Sequence, residues 1–183
     1  MKTCTIDPDH SVATFAVRHM MIANVRGIMN KISGTIRYDE QDIRRSSVQA
    51  EIDVSSLNSG VKKRDEHLLS NEILDAQKFP TMTFRSTRIE RKADNVLSVH
   101  GDLTIHGVTK PVVFTSEHFG PVKSPWGGEV SIGIICRGEI DREDFGVTWG
   151  SDPLPGGGLM TSRKVEITLD VEADLPNDEE GRS

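Results

Sequence analysis

Asp9-His10-Ser11 sets the three residue types of a hydrolase relay side by side. Neighbours on an extended chain point to opposite sides, so these three cannot hand one proton along. The structural alternative is a turn after Pro8 and then the start of a strand, with Asp9 or Ser11 hydrogen-bonding neighbouring backbone groups. No Gly-x-Ser-x-Gly elbow occurs. The six histidines, at positions 10, 19, 67, 100, 106 and 118, show no tight metal-ligand spacing, and no metal is expected. His100 shares strand parity with Asp102 and Thr104, opposite to Leu97, Val99 and Leu103, and so should face solvent. Cys4 and Cys136 lie far apart without a Cys-x-x-Cys, which predicts two reduced thiols. Gly101 to Lys110 looks superficially like a phosphate loop, yet its second Gly is not followed by Lys-Ser/Thr and no helix follows. Arg64 and His67 are three apart and can share a helical face. That face reads either as a helix surface packed down through Leu68 or as a cationic mouth for an anionic headgroup.

The elements that would position these groups are mostly strands. Val48, Ala50, Ile52 and Val54 alternate with polar residues, as do Val165, Ile167, Leu169 and Val171, the pattern of a strand with one face buried. Looser runs cover 34–39, 81–89, 96–105, 112–119 and 129–140, and an opening strand falls at about 11–17. Only 61–77 reads as helical, with Leu68, Leu69 and Ile73 at helical spacing. One helix cannot supply repeated crossovers. Seven or eight strands in series therefore predict an all-β antiparallel barrel or sandwich, and the pattern alone leaves these two open. His106 to Pro111 is the clearest hairpin turn, and the Gly- and Pro-rich stretch 151–158 predicts a loop before the last strand. Residues 1–175 form one expected domain, and 176–183 a flexible acidic tail with nothing apolar to bury.

Composition narrows the function classes. The chain has 183 residues, a net charge of −6 and no long basic run, which argues against nucleic acid as a partner. No window is apolar enough for a transmembrane helix and the opening residues lack a leader's apolar stretch, so a cytoplasmic location is expected, or a periplasmic one had a leader been removed. The strand faces assigned to the interior are Val, Ile, Leu, Met and Phe. An eight-stranded barrel of that lining either fills with side chains or encloses one elongated ligand.

Five segments in order carry a resemblance: Ile6-Asp7-Pro8-Asp9-His10-Ser11 with Phe15, His19-Met20 and Gly27; Arg64-Asp65-Glu66-His67-Leu68; Phe79-Pro80-Thr81-Met82-Thr83-Phe84-Arg85-Ser86; Gly101 to Val112; and Arg142-Glu143-Asp144-Phe145-Gly146. Together they resemble the YceI-like polyisoprenoid-binding family over most of the chain. The resemblance implies a lipocalin-like, eight-stranded antiparallel β-barrel with one short helix. Its apolar interior would hold a long isoprenoid chain, a polyprenyl phosphate or a quinone tail, with the polar head near the mouth. It implies no catalysis and no catalytic cofactor. Between Gly27 and Gly34 this chain departs from the family pattern, placing Met29 and Ile32 where aromatic residues are usual, and a flexible thioether there reshapes the pocket.

On this reading Phe84, Leu97, Val99, Leu103, Ile132 and Ile134 line the interior by inward parity, and Phe15, Met20, Met29 and Phe145 by their places in the motifs. Arg64, His67 and His106 are the candidate headgroup neighbours, because cationic and donor groups suit a phosphate or quinone oxygen. Carriage, storage or stress protection of the lipid are the expected roles, with transient membrane contact and a homodimer as expected associations. Two rivals stand beside it: an enzyme with a His/Asp site at the barrel mouth, and a filled barrel acting as an interaction protein.

Overall fold

The computed structural model describes residues 1–125 and 128–176; the expected acidic tail lies, from Asn177 onward, outside the described residues. Among the described residues there are ten strands and one α-helix: β1 (Lys2–His19), β2 (Ala23–Met29), β3 (Ile32–Tyr38), β4 (Ser47–Asp53), β5 (Leu57–Asn58), α1 (Lys62–Leu69), β6 (Thr81–Arg91), β7 (Val96–Ile105), β8 (Val108–Lys123), β9 (Val130–Asp141) and β10 (Thr161–Leu175). Eight of them, in the cyclic order β1, β10, β9, β8, β7, β6, β4, β3, pair antiparallel into a closed barrel. Closure leaves no free edge around the ring. The choice between barrel and sandwich is thus decided for the barrel. Among the described residues no helix is long and apolar enough to cross a membrane.

The ring closes because β1 serves two partners in turn. Lys2 to Thr5 pairs with β3, and Ala13 to His19 pairs with β2, while the opposite edge pairs with β10 throughout. Between Asp7 and Val12 the register advances five residues along β1 but two along β10. That bulge flips the side-chain parity. Cys4 and Ile6 point inward before it, Ala13, Phe15 and Val17 after it. The expected turn after Pro8 is therefore a bulge inside one long strand, because the Asp9 amide donates to Asp7 Oδ1 at 2.8 Å and keeps the detour local.

The helix is shorter than the expected 61–77, ending at Leu69. Ser70 takes an extended conformation, and the amides of Leu74, Asp75 and Ala76 fold back onto the carbonyls of Leu68, Ser70 and Leu69. The apolar spacing at Leu68 and Ile73 is satisfied by this doubling back rather than by a continuous helix. The 57–80 segment so packed supplies Leu57, Leu68, Ile73 and Leu74 to the interior at one end of the barrel. At the β7/β8 hairpin, His106 and Gly107 form a two-residue turn with φ of 52° and 73°. Pro111 lies within β8, opposite Asp102 of β7 and outside the pairing with β9, which begins at Thr115, so its missing N–H breaks no ladder on that side.

Candidate ligand-binding site

Inward residues of the ring strands, with β2, the 57–80 segment and residues 142–149, line two adjoining chambers of about 180 and 280 Å³. Both share Phe15, Met29, Met82, Ile105 and Ile167 as walls, so these side chains stand where the two chambers meet. A packed interior holds few voids larger than a water molecule. The space survives partly because aromatic rings lie back against glycines. A Cβ on Gly27 would meet the Phe15 ring at 2.5 Å, one on Gly138 would meet the Phe114 ring at 2.5 Å, and one on Gly101 would collide with the Phe84 ring. Each ring thus occupies the wall beside a missing side chain instead of the lumen, and Phe84 and Phe114 meet edge to face at 5.6 Å.

The first chamber is lined by Phe84, Leu97, Val99, Leu103, Ile132 and Ile134, together with Phe15 and Met29. Its thiol, Cys136, is pushed above the usual range by burial and is not a nucleophile at neutral pH. The second chamber holds Phe145 and, toward the outside, Arg64, His67, Trp149, His19 and Thr161. Two expected residues stand elsewhere. Met20 is 46% exposed in the β1/β2 turn, one residue beyond the last inward strand position. His106 sits in the β7/β8 turn with its ring against Phe79 at 4.6 Å, on neither chamber wall. The motifs containing both run past a strand end, where alternation no longer aims a side chain inward.

Polar groups gather at the mouth of the second chamber. Arg64 Nε donates to Ser59 Oγ and its Nη2 to the Ser59 carbonyl, both at 2.7 Å, which fixes the guanidinium at the start of α1. His67 packs edge-on against Trp149 at 4.9 Å and bonds Glu72 through Nε2 at 2.8 Å. Arg142 is only 7% exposed. Its guanidinium donates to the carbonyls of Ser162 (2.9 Å), Val147 (2.6 Å) and Thr161 (3.1 Å) and to Ser151 Oγ (3.2 Å), so it latches the 147–161 loop to the barrel. Burial draws its pKa below the usual arginine value while Glu143 and Asp141 oppose the shift. Arg142 and Trp149 escaped the sequence reading as wall residues. A buried arginine looks like surface charge, and Trp149 lies in a loop without periodicity.

The Asp9-His10-Ser11 cluster is not a relay. Ser11 Oγ donates to the Glu172 carbonyl and accepts its amide, while His10 Nδ1 bonds Asp7 Oδ2 at 2.6 Å on the outer surface. That bond to Asp7 raises the His10 pKa, helped by the charges of Asp7 and Glu172, and the bond to His10 holds Asp7 below its usual value. The raised histidine contributes stability below about pH 6.5 that is lost as pH rises through its folded value. The depressed aspartate contributes above about pH 3.9 and loses this as pH falls. The pair therefore acts from mildly acidic pH up to the folded pKa of His10. Asp7→Asn is expected to return the His10 pKa toward 6.5 in an NMR titration with little change in melting temperature, because His10 is 67% exposed. An unchanged titration curve contradicts the pairing.

Residues 4–173 match the YceI-like domain family. A UPF0312 protein of Vibrio vulnificus is 38% identical over 163 residues, covering 89% of this chain and 81% of that protein. Protein YceI of Salmonella newport is 32% identical over the same shares. Among solved structures, Campylobacter jejuni YceI superposes with a TM-score of 0.74 at 29% identity, covering 87% of this chain and 90% of its own. Burkholderia cenocepacia BcnA (TM-score 0.79, 22% identity, 91% and 98% covered) shares the fold. So does a polyisoprenoid binding domain from Saccharophagus degradans (0.70, 14%, 96% and 100%). A closed barrel with an apolar interior and a family match spanning nearly all of it lead to one assignment: the chain belongs to the YceI-like domain family.

Proposed function

We propose that this protein binds one long isoprenoid lipid, a polyprenyl phosphate or an isoprenoid quinone, with its tail along the two chambers and its head at the Arg64/His67 mouth. The observation that carries the reading is the pair of adjoining apolar chambers with cationic and donor side chains at the outer end of the second. The first chamber is walled almost wholly by apolar side chains, which offer water few hydrogen-bond partners and suit an apolar occupant. The Saccharophagus degradans neighbour, a polyisoprenoid binding domain on the same fold, supports the same ligand class.

Energetics favour exchange over permanent capture. Burying about 40 carbons at roughly 0.8 kcal/mol each exceeds the ceiling of non-covalent affinity, near 18 to 21 kcal/mol. The excess is offset by ordering of the tail and by a bilayer's equally apolar interior. Carriage between membranes, storage, or shielding of the lipid under stress all suit such a binder. The test is mass spectrometry of the organic extract of protein purified without detergent, beside native mass spectrometry of the intact chain. A stoichiometric isoprenoid is the expected result. An empty protein that also takes up neither polyprenyl phosphate nor quinone from vesicles overturns the reading.

A further inference from the structure

The rim around the second chamber is apolar where a soluble surface ordinarily is not. Met20, Met21 and Ile22 at the β1/β2 tip are 46%, 40% and 78% exposed, and Trp149 and Met160 on the facing loop 36% and 37%. The two sides form one patch. The Met20 amide donates to the Met160 carbonyl at 2.7 Å, Met21 Cγ comes within 3.3 Å of where a Cβ on Gly158 would stand, and Trp149 packs on His67. His19, Trp149 and Thr161 belong to the chamber wall as well, so the patch borders the opening itself.

Two further observations say what covers it. The tip is a primed turn, with φ of 49° at Met20 and 61° at Met21 and the Ile22 amide bonded to the His19 carbonyl at 3.1 Å. Asn-Gly fits such a turn, whereas two methionines there are strained by about 1–3 kcal/mol each. The strain holds large apolar side chains outward with little packing in return. Charge is the second observation. From His10 to Tyr38 there is no Asp or Glu, in a chain of net charge −6, and Arg18 and Arg26 flank the hairpin tip, whereas Lys31, paired with Asp53 at 3.5 Å, and Arg37 lie toward the other end of the strands. Arg18, opposite Asn24, and Arg26, opposite Ala16, are exposed on the outer face of the hairpin, and among the described residues neither has an acidic partner. Arg18 stands only about 7 Å below the turn at the rise of a strand, within reach of a phosphate layer that the tip enters.

We propose that this rim docks on an anionic lipid bilayer, with Met20, Met21, Ile22, Trp149 and Met160 entering the headgroup boundary and Arg18 and Arg26 at the phosphates. Apolar insertion plus basic flanks is the chemistry of reversible interfacial binding. Docked this way, the chamber mouth faces the membrane. The inference stands on the rim and does not require that the chambers hold an isoprenoid.

The test is flotation of delipidated protein with vesicles of phosphatidylcholine alone and of phosphatidylcholine with phosphatidylglycerol, neither containing isoprenoid. A Trp126→Phe background leaves Trp149 as the fluorescent reporter. Binding to the anionic vesicles, a blue shift of Trp149 emission and weakening with salt are expected. Ile22→Glu, at an exposed turn position where folding is checked by circular dichroism, should weaken binding about tenfold or more. Arg18→Gln with Arg26→Gln should abolish the preference for anionic lipid. Absence of binding to both vesicle types, or binding indifferent to Ile22→Glu, overturns the proposal. So does an Ile22→Glu variant that splits a dimer in sedimentation, which would make the rim an interface between copies. Because the vesicles contain no isoprenoid, these outcomes are independent of whether the barrel carries one.

Discussion

Arg142→Leu is expected to lower the unfolding free energy by about 3–5 kcal/mol and to speed ligand loss. The guanidinium is buried and donates to three carbonyls and one hydroxyl on both sides of the 147–161 loop. Leucine has the bulk to fill the site but leaves those acceptors without donors. A buried acceptor left unmade costs about 1–3 kcal/mol, and removing the guanidinium's own desolvation cost returns part of the total. Arg142→Lys keeps the charge but not the fork, so it should fall between the two. The same loop carries Trp149, which stands against His67 on the chamber wall, so unlatching it opens the mouth. Denaturant titration reads the first effect. Exchange of a fluorescent lipid into vesicles reads the second. A stability loss under about 1 kcal/mol would show that Arg142 is not the latch.

The strands were legible where one physical rule governs a whole segment. In β4, in β7 and in β10 from Val165 on, every second residue faces the lumen, and hydrophobic alternation reports this directly; earlier in β10 a register shift leaves Arg163 exposed. The rule broke in β1, where the bulge before Val12 moves the inward set from Cys4 and Ile6 to Ala13, Phe15 and Val17. It also broke in β2. There the inward positions are Val25, Gly27 and Met29, while the outward Ile28 is apolar, and the preceding turn carries Met-Met instead of a glycine signal. Leu97, Leu103 and Ile132, placed by parity, and Phe15, Met29 and Phe145, placed by motif, stand on the chamber walls, whereas Met20, also placed by motif, and His106, expected beside the headgroup, fall in turns just past strand ends. Phe114 was within reach of parity, since it alternates with Val113 and Thr115 in a stretch already read as strand. Arg142 was not. Its burial follows from where a loop of irregular backbone needs donors, and no periodicity encodes that.

Gly138→Ala is expected to reduce lipid uptake about tenfold or more while the barrel still folds, because it turns a wall into an obstruction. The new Cβ would stand 2.5 Å from Phe114 Cδ1 and 2.8 Å from Cε1, and the closest atoms all belong to that ring, not to the backbone. The ring must leave its seat. Behind it is the strand, and beside it is Phe84 at 5.6 Å, so it swings into the first chamber, whose wall it now forms. The stability cost of such overpacking is about 1–3 kcal/mol. Part of it is regained because the displaced ring fills space that was empty. Two comparisons isolate the mechanism. Gly133→Ala places its Cβ no closer than 3.7 Å to Phe119, an ordinary contact, and should leave uptake unchanged. Phe114→Leu added to Gly138→Ala removes the ring's reach and should restore capacity, which a general weakening of β9 could not explain. Equal lipid stoichiometry in Gly138→Ala and the parent protein, measured on organic extracts, would mean that the ligand does not use the first chamber. A filled core predicts the opposite pattern, a large loss of stability with no uptake to lose.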